Sequence, residues 1–226
     1  MTDKSVPREI DRNSSALLLA GYGTATVVDA CSQTCMLDVD WIALMPACSI
    51  AGPALTVRCI AGDNLSIHAA MAEVRAGDVM VITGGENSSV ALVGDMIGTQ
   101  LKARGAAGVL LNGPVRDIEA LRKLELPVWA RSIRPKGPVK QVYGSVGSDI
   151  IIAGVRIRSG DWVVLDADGA VLVPFESVHD AIDSARKRHD GEVSKRPRYA
   201  AGEIAADILD LHPLIESQRS SGKGQT

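Results

Sequence analysis

Apolar positions along the chain switch between a helical period and short β-branched runs. Ser14 to Cys31 places Leu17, Leu18, Leu19, Thr24, Val27 and Val28 in a loosely helical pattern. This predicts a first helix, capped by Ser14 or Ser15 and interrupted near Gly21 and Gly23. Gly52-Pro53 then opens a predicted strand, Ala54 to Ile60, which Ala61-Gly62-Asp63-Asn64 ends. Asp63 or Asn64 caps a short helix through Val74. Asp78 to Ile82 reads as a buried strand, and Gly84-Gly85-Glu86-Asn87-Ser88-Ser89 as a loop at its carboxyl end. The helical period returns from Ala91 to Arg104, with Gly105 as C-cap. Val109-Leu110-Leu111 is the next strand, broken by Asn112-Gly113-Pro114-Val115. A helix from Arg116 to Arg122 and a strand Pro127-Val128-Trp129-Ala130 follow. This β-loop-α repetition marks an α/β layer.

After Gly144 the spacing shortens. Ile150-Ile151-Ile152, Val155-Arg156-Ile157, Trp162 to Leu165 and Val171-Leu172-Val173 are separated by glycine-containing turns, and they predict antiparallel β-hairpins. Ser177 to His189 and Glu203 to Leu211 predict C-terminal helices. The pattern therefore gives an α/β fold with an antiparallel β-hairpin section and C-terminal helices. The expected organisation is a flexible N-terminus (1–13), a single domain (14–216) and a flexible tail (217–226).

Composition narrows the function classes. With 226 residues and 46% hydrophobic content, the chain has material for one substantial core. Its 24 basic and 27 acidic residues are interspersed, with a net charge of -3, and aromatic residues make up 3%. Neither a cationic face nor base-stacking platforms are indicated, so no direct nucleic-acid partner is expected. The run Ala16 to Ala20 is too short for a membrane span or a signal-peptide core, so a cytoplasmic protein is expected. Cys31, Cys35, Cys48 and Cys59 match neither a Cys-x-x-Cys pair nor a zinc ribbon and read as free thiols. His68, His179, His189 and His212 form no zinc motif.

Candidate chemistry concentrates in two segments that leave strands and enter helices, Gly84 to Gly98 and Asn112 to Asp117. Gly94-Asp95-Met96-Ile97-Gly98 sits at a predicted helix start, where amides and the helix dipole favour a carboxylate. Arg116 is suited to bidentate carboxylate binding, and Asp117 is a hard oxygen ligand for Mg²⁺ or Mn²⁺. Together they suit an α-keto acid, whose carboxylate and keto oxygens chelate a metal while Arg116 offsets the remaining charge. The same residues also fit a plainer reading, with both aspartates at helix starts and Arg116-Asp117 as a surface ion pair. Arg131, Arg134 and Lys136 read as solvated surface, with contact to a second carboxylate as the alternative. Asp161, Asp166 and Asp168 read as turn residues.

Asp95, twenty further residues and then Arg116-Asp117 resembles the signature of the class II pyruvate aldolases for 4-hydroxy-4-methyl-2-oxoglutarate and 4-carboxy-4-hydroxy-2-oxoadipate, a family that includes RraA-like ribonuclease regulators. Thr24 to Ala30, Gly52 to Val57, Gly62-Asp63-Asn64, Ala103 to Val109, and Ser159-Gly160-Asp161 through Val173-Pro174 resemble the same family. Asn112-Gly113-Pro114 departs from it, since an Asp-Gly-small sequence is common there. The resemblance implies a swivelling-domain-like β/β/α sandwich, assembled as a homotrimer or homohexamer. It also implies a divalent-metal-dependent lyase that releases pyruvate from an α-keto acid and decarboxylates oxaloacetate. Asp117 becomes the metal ligand, Arg116 the partner of the keto acid, and Asp95 a residue acting through water on the metal. The Gly94 to Gly98 amides grip the substrate carboxylate, and Glu192 is the acidic residue contributed by a neighbouring subunit. The alternative is a non-catalytic protein that binds and inhibits a ribonuclease. An older label in the family, demethylmenaquinone methyltransferase, finds no Gly-x-Gly loop after the first strand.

Overall fold

A computed structural model describes residues 10–221. Two compact units divide the chain, Met1–Ala185 and Arg186–Thr226, so the span expected as a single domain (14–216) is parted after Ala185.

The first unit is built on a large mixed sheet. Its strands are β1 (Cys35–Met36), β2 (Ile42–Ala43), β3 (Ile50–Arg58), β4 (Val79–Thr83), β5 (Gly108–Val115), β6 (Val128–Ile133), β7 (Ser145–Val146), β10 (Trp162–Asp166) and β11 (Gly169–Val173). The order is β1-β11-β10-β3-β4-β5-β6-β2, with β7 also on β3, and the strands from β3 to β6 run parallel. A separate hairpin joins β8 (Ile150–Ile152) to β9 (Val155–Ile157). Three short helices cover one face of the parallel strands: α2 (Leu65–Ala70), α3 (Asp95–Ala103) and α4 (Ile118–Lys123). Met80, Ile82, Val109 and Leu111 meet Ile67, Leu101 and Leu121 there. On the other face, Val79, Val81, Leu110 and Trp129 pack against the hairpin and against Val163, Leu165 and Leu172. Burial on both faces explains why β4 and β5 are continuous apolar runs without alternation.

β3 belongs to both halves of the sheet. Ile50 to Pro53 pair antiparallel with β10, and Ala54 to Arg58 pair parallel with β4. The change of partner falls at Gly52-Pro53, where Gly52 packs so closely that a Cβ would lie 2.3 Å from the Gly77 carbonyl oxygen. A third cluster seals the antiparallel half, with Trp162, Val164, Val171 and Val173 against α1 (Arg12–Ala30) and the first turns of α5 (Val178–Ala200).

Several boundaries differ from the sequence expectations. α1 is capped by Asp11, which accepts from Asn13 N at 3.2 Å, and not by Ser14 or Ser15. The expected interruption lies at Gly23 (φ 78°). There the Asp166 carboxylate accepts from Thr24 N and Thr24 Oγ1, both at 2.7 Å, and restarts the helix. Asn112-Gly113-Pro114 does not break β5. The strand continues to Val115 through a register shift after Leu111, because Gly113 packs against the Gly85 backbone. α3 begins at Asp95 and not at Ala91, and α4 begins at Ile118 and not at Arg116.

The second unit is helical, with the rest of α5, α6 (Ala205–Ile208) and α7 (His212–Ser221). α7 covers residues 217–221 of the expected flexible tail. Residues 1–9 and 222–226, the rest of the expected flexible termini, lie outside the described residues. All four cysteines are free, and burial pushes the Cys59 thiol up to about 12. Among the described residues no helix is long and apolar enough to cross a membrane.

Candidate active site

Three connections at the carboxyl ends of β3, β4 and β5 build one corner of the first unit. After β3, the buried Asp63 carboxylate accepts Leu65 N at 2.9 Å on Oδ1, and Gln141 N and Val142 N at 2.7 and 2.8 Å on Oδ2. Burial raises this carboxyl, but the three amides and the Lys140 charge together hold it below the ordinary carboxylate value. Asp63 thereby ties the segment bearing Lys140 to the start of α2, which bears His68. Burial first, and Lys140 second, hold the His68 imidazole below its usual value, so it is neutral at pH 7.

After β4, the chain returns along β5: Leu92 N donates to Pro114 O at 3.1 Å, and Arg116 N to Val93 O at 3.0 Å. This pairing sets the start of α3 beside the end of β5. Asp117 then takes a left-handed conformation (φ 58°, ψ 43°), an uncommon one that aspartate tolerates better than most residues. The turn brings Asp117 Oδ2 to 3.2 Å from Arg116 Nε and to 3.3 Å from the Asp95 amide, which donates to it. Two glycines make room. A Cβ on Gly94 would lie 2.5 Å from Asp117 Oδ2 and 3.0 Å from Arg116 Nε, and one on Gly137 would lie 2.3 Å from Arg116 Nη1. Arg116 is thus slotted between two bare stretches of backbone. Behind it, Gly98 lets α3 approach α4, since a Cβ there would lie 2.4 Å from Leu121 Cδ2.

These connections enclose a cavity of about 270 Å³ whose lining includes Gly94, Asp95, Met96, Ile97 and Arg116. Asp95 also borders an open hollow of about 490 Å³ shared with Asp117 and Glu119. Asp95 and the distant pair Arg116-Asp117 therefore come together. The amides expected to grip a carboxylate are partly engaged already, because Met96 N donates to Asp95 Oδ1 at 2.7 Å and Asp95 N to Asp117. Glu192 is not among the residues lining this cavity. It lies on α5 in the second unit, with Oε1 3.1 Å from Arg188 Nε. Arg131, Arg134 and Lys136 are exposed and do not line the cavity either.

Three polar lining residues escaped the sequence reading as site residues: Asn64, His68 and Lys140. Asn64 was expected to serve as a helix cap, but it makes no side-chain capping bond. Its Nδ2 donates to Leu92 O at 3.0 Å, and its Oδ1 is buried with no partner. An unpaired buried acceptor at a cavity wall is costly unless a ligand or water answers it. Lys140 lies in a stretch without periodicity, so nothing local marks it.

Among the described residues no three His, Cys, Asp or Glu side chains gather as a metal cage. Asp95 and Asp117 nevertheless give two adjacent carboxylates, and Asp117 Oδ1 has no partner. Mg²⁺ and Mn²⁺ bind through one or two carboxylates with the remaining positions left to water and substrate, so this donor set fits them.

Comparison with known proteins gives the family. A protein of Halalkalibacterium halodurans, provisionally named 4-hydroxy-4-methyl-2-oxoglutarate aldolase, is 35% identical over 168 residues, covering 74% of this chain and 77% of its own. Streptomyces coelicolor RraAS2, described as an unusual member of the RNase ES inhibitor RraA family, superposes with a TM-score of 0.73 at 26% identity, covering 84% of this chain and 99% of its own. The RNA-processing inhibitor RraA from Thermus thermophilis gives 0.63 at 28% identity, covering 67% and 92%. The family model for RraA-like proteins, described as Aldolase/RraA, matches residues 24–172, which include the cavity and every strand from β1 to β10. The chain belongs to the RraA-like family.

Proposed function

We propose that this protein is a divalent-metal-dependent carbon–carbon lyase that releases pyruvate from 4-hydroxy-2-oxo di- and tricarboxylic acids and also decarboxylates oxaloacetate. The observation that carries this reading is the meeting of Asp95, Arg116 and Asp117 at the lip of a small cavity with a cationic wall. Asp117 would hold Mg²⁺ or Mn²⁺, with Asp95 acting on it through water, and the ion would supply Lewis acidity toward the keto and carboxylate oxygens. Arg116 binds the carboxylate end and the oxyanion that develops at C2. Asp95 takes the proton from the 4-hydroxyl. The C3–C4 bond then breaks, C4 becomes a ketone, and the bonding pair passes to C3 to give pyruvate enolate, which is protonated to pyruvate. Loss of CO₂ from oxaloacetate leaves the same enolate, so one site serves both reactions. Lys140 faces the far carboxylate of the substrate, and Asn64 Oδ1 accepts a hydrogen bond from an ordered water. Glu192 is assigned to the same centre from a second copy within a homotrimer or homohexamer.

The test is pyruvate release from 4-carboxy-4-hydroxy-2-oxoadipate, 4-hydroxy-4-methyl-2-oxoglutarate and oxaloacetate, coupled to lactate dehydrogenase, with Mg²⁺ and then with excess EDTA. Release that EDTA abolishes supports the proposal. No release from any of the three would reject it. A second reading, docking on a ribonuclease, draws support from the likeness to the two RraA proteins. Retention of a ribonuclease by the immobilised chain, together with inhibition of its cleavage, would favour that reading.

A further inference from the structure

A second and larger cavity, about 1010 Å³, lies at the amino ends of the parallel strands. It is bounded by Asp78, which precedes β4, and by Arg104, the C-cap of α3, whereas the candidate active site is built at the opposite ends of these elements. Its floor is apolar, formed by Pro53, Leu55, Val74 and the fully buried Trp162, with Phe175 half exposed beside them. Three arginines are among its lining residues: Arg12, Arg75 and Arg104.

The surrounding acids do not use up this charge. Asp78 spends one oxygen on Arg12 and the other on the Arg75 amide at 2.8 Å, so its carboxylate is filled. Among the described residues Arg12 Nε is buried with no hydrogen-bond partner. Arg104 Nη2 reaches the Ala72 and Val74 carbonyl oxygens at a long 3.4 Å, and the Arg75 guanidinium meets no carboxylate among the described residues. Glu73 is the other acid of the lining, and it is exposed. The cavity thus combines an apolar floor with cationic donors whose capacity is unspent.

We propose that this cavity binds an organic anion, one acidic head group on an aromatic or aliphatic body. The head group meets the guanidiniums through charge-assisted hydrogen bonds, and the body covers the apolar floor beside Phe175. A fully polar polycarboxylate gains nothing from that floor, so the ligand differs in class from the substrate proposed above.

The probe is 8-anilinonaphthalene-1-sulfonate, titrated into the full-length chain and followed by its fluorescence. The expected result is saturable binding of one probe per chain. The double variant Arg75→Ala/Arg104→Ala weakens it by about tenfold, and Phe175→Ser by about threefold. Both arginines are exposed, so the double variant folds, which circular dichroism verifies. The neutral analogue N-phenyl-1-naphthylamine binds at least tenfold more weakly, and saturating oxaloacetate or inorganic phosphate leaves the probe in place. Absence of saturable binding, equal affinity in the double variant, or equal binding of the neutral analogue overturns the proposal. Displacement by oxaloacetate places the probe at the other cavity, and displacement by phosphate shows that the floor is not read; either outcome also overturns it.

Discussion

Asp166 and Asp117 each stand at a strand end and each meet an N–H at or near a helix start, yet they are used differently. In the antiparallel half, Asp166 fills both oxygens: Oδ2 accepts Thr24 N at 2.7 Å, and Oδ1 accepts Thr24 Oγ1 at 2.7 Å and Asp168 N at 2.9 Å. In the parallel half, Asp117 has contacts of 3.2 and 3.3 Å on one oxygen and none on the other. Asp166 completes a fold, whereas Asp117 is held by its surroundings with bonding capacity left over. The same contrast separates Asp161, saturated by Arg158 N and Phe175 N, from the Asn64 amide with its unpaired Oδ1. In both pairs unspent polar capacity, and not polarity as such, separates the candidate-site residue from its counterpart in the scaffold.

Five variants break or sharpen that contrast. Trp162→Ala, in the sealed half, is expected to cost about 3–5 kcal/mol of stability in urea unfolding, while turnover by the folded fraction stays near that of the parent. Arg116→Ala is expected to lower kcat/KM for pyruvate release about 10²- to 10³-fold, with the urea midpoint little changed. Near-parental turnover of both oxaloacetate and the aldol substrates would remove Arg116 from the site.

Gly94→Ala drives a methyl into Asp117 and Arg116, an overpacking of about 1–3 kcal/mol. That cost is expected chiefly in activity and metal affinity, measured by titration with Mn²⁺. Gly21→Ala in α1 meets nothing within 4 Å and serves as the control, expected to raise stability by about 0.5–1 kcal/mol. The smallest effect concerns Glu86 at the end of β4. Burial raises its carboxyl, but bonds from Thr83 Oγ1 and Gly84 N and the Arg131 charge outweigh burial and bring it below the ordinary glutamate value. Because the folded value is depressed, its stabilising contribution is present above the ordinary value and is lost as pH falls through the folded one. Glu86→Gln should therefore flatten the acid side of the stability profile. An unchanged acid limb would show that the carboxylate bonds to Thr83 and Gly84 contribute nothing.

The halves also differ in how far the sequence discloses them. The β-α repetition and the hairpins were legible because burial on both faces, or on alternate faces, leaves a period in the apolar residues. The positions of Asp95, Arg116 and Asp117 were legible as strand-to-helix connections, and their sequence spacing identified the family. What stayed hidden was long-range and aperiodic. Asn64 looks like a cap until its amide is seen to reach Leu92, and Lys140 belongs to a loop held in place from 77 residues earlier by Asp63. The end of β5 was misread for a similar reason. Asn112-Gly113-Pro114 has the composition of a turn, and only the Gly85 backbone lying against Gly113 shows why it stays a strand.

Asp63 fixes the loop through the backbone amides of Gln141 and Val142 and through no side chain of that loop. The attachment itself therefore forms whatever side chain stands at position 140, the Lys140 charge only adding to the forces that hold Asp63 ionised. Residues 138 and 140 supply cavity wall while carrying none of that attachment, so they form a region where new ligand preferences can be selected without re-solving the folding problem. A library randomised there samples recognition, and one randomised at position 63 samples mostly collapse of the cavity wall.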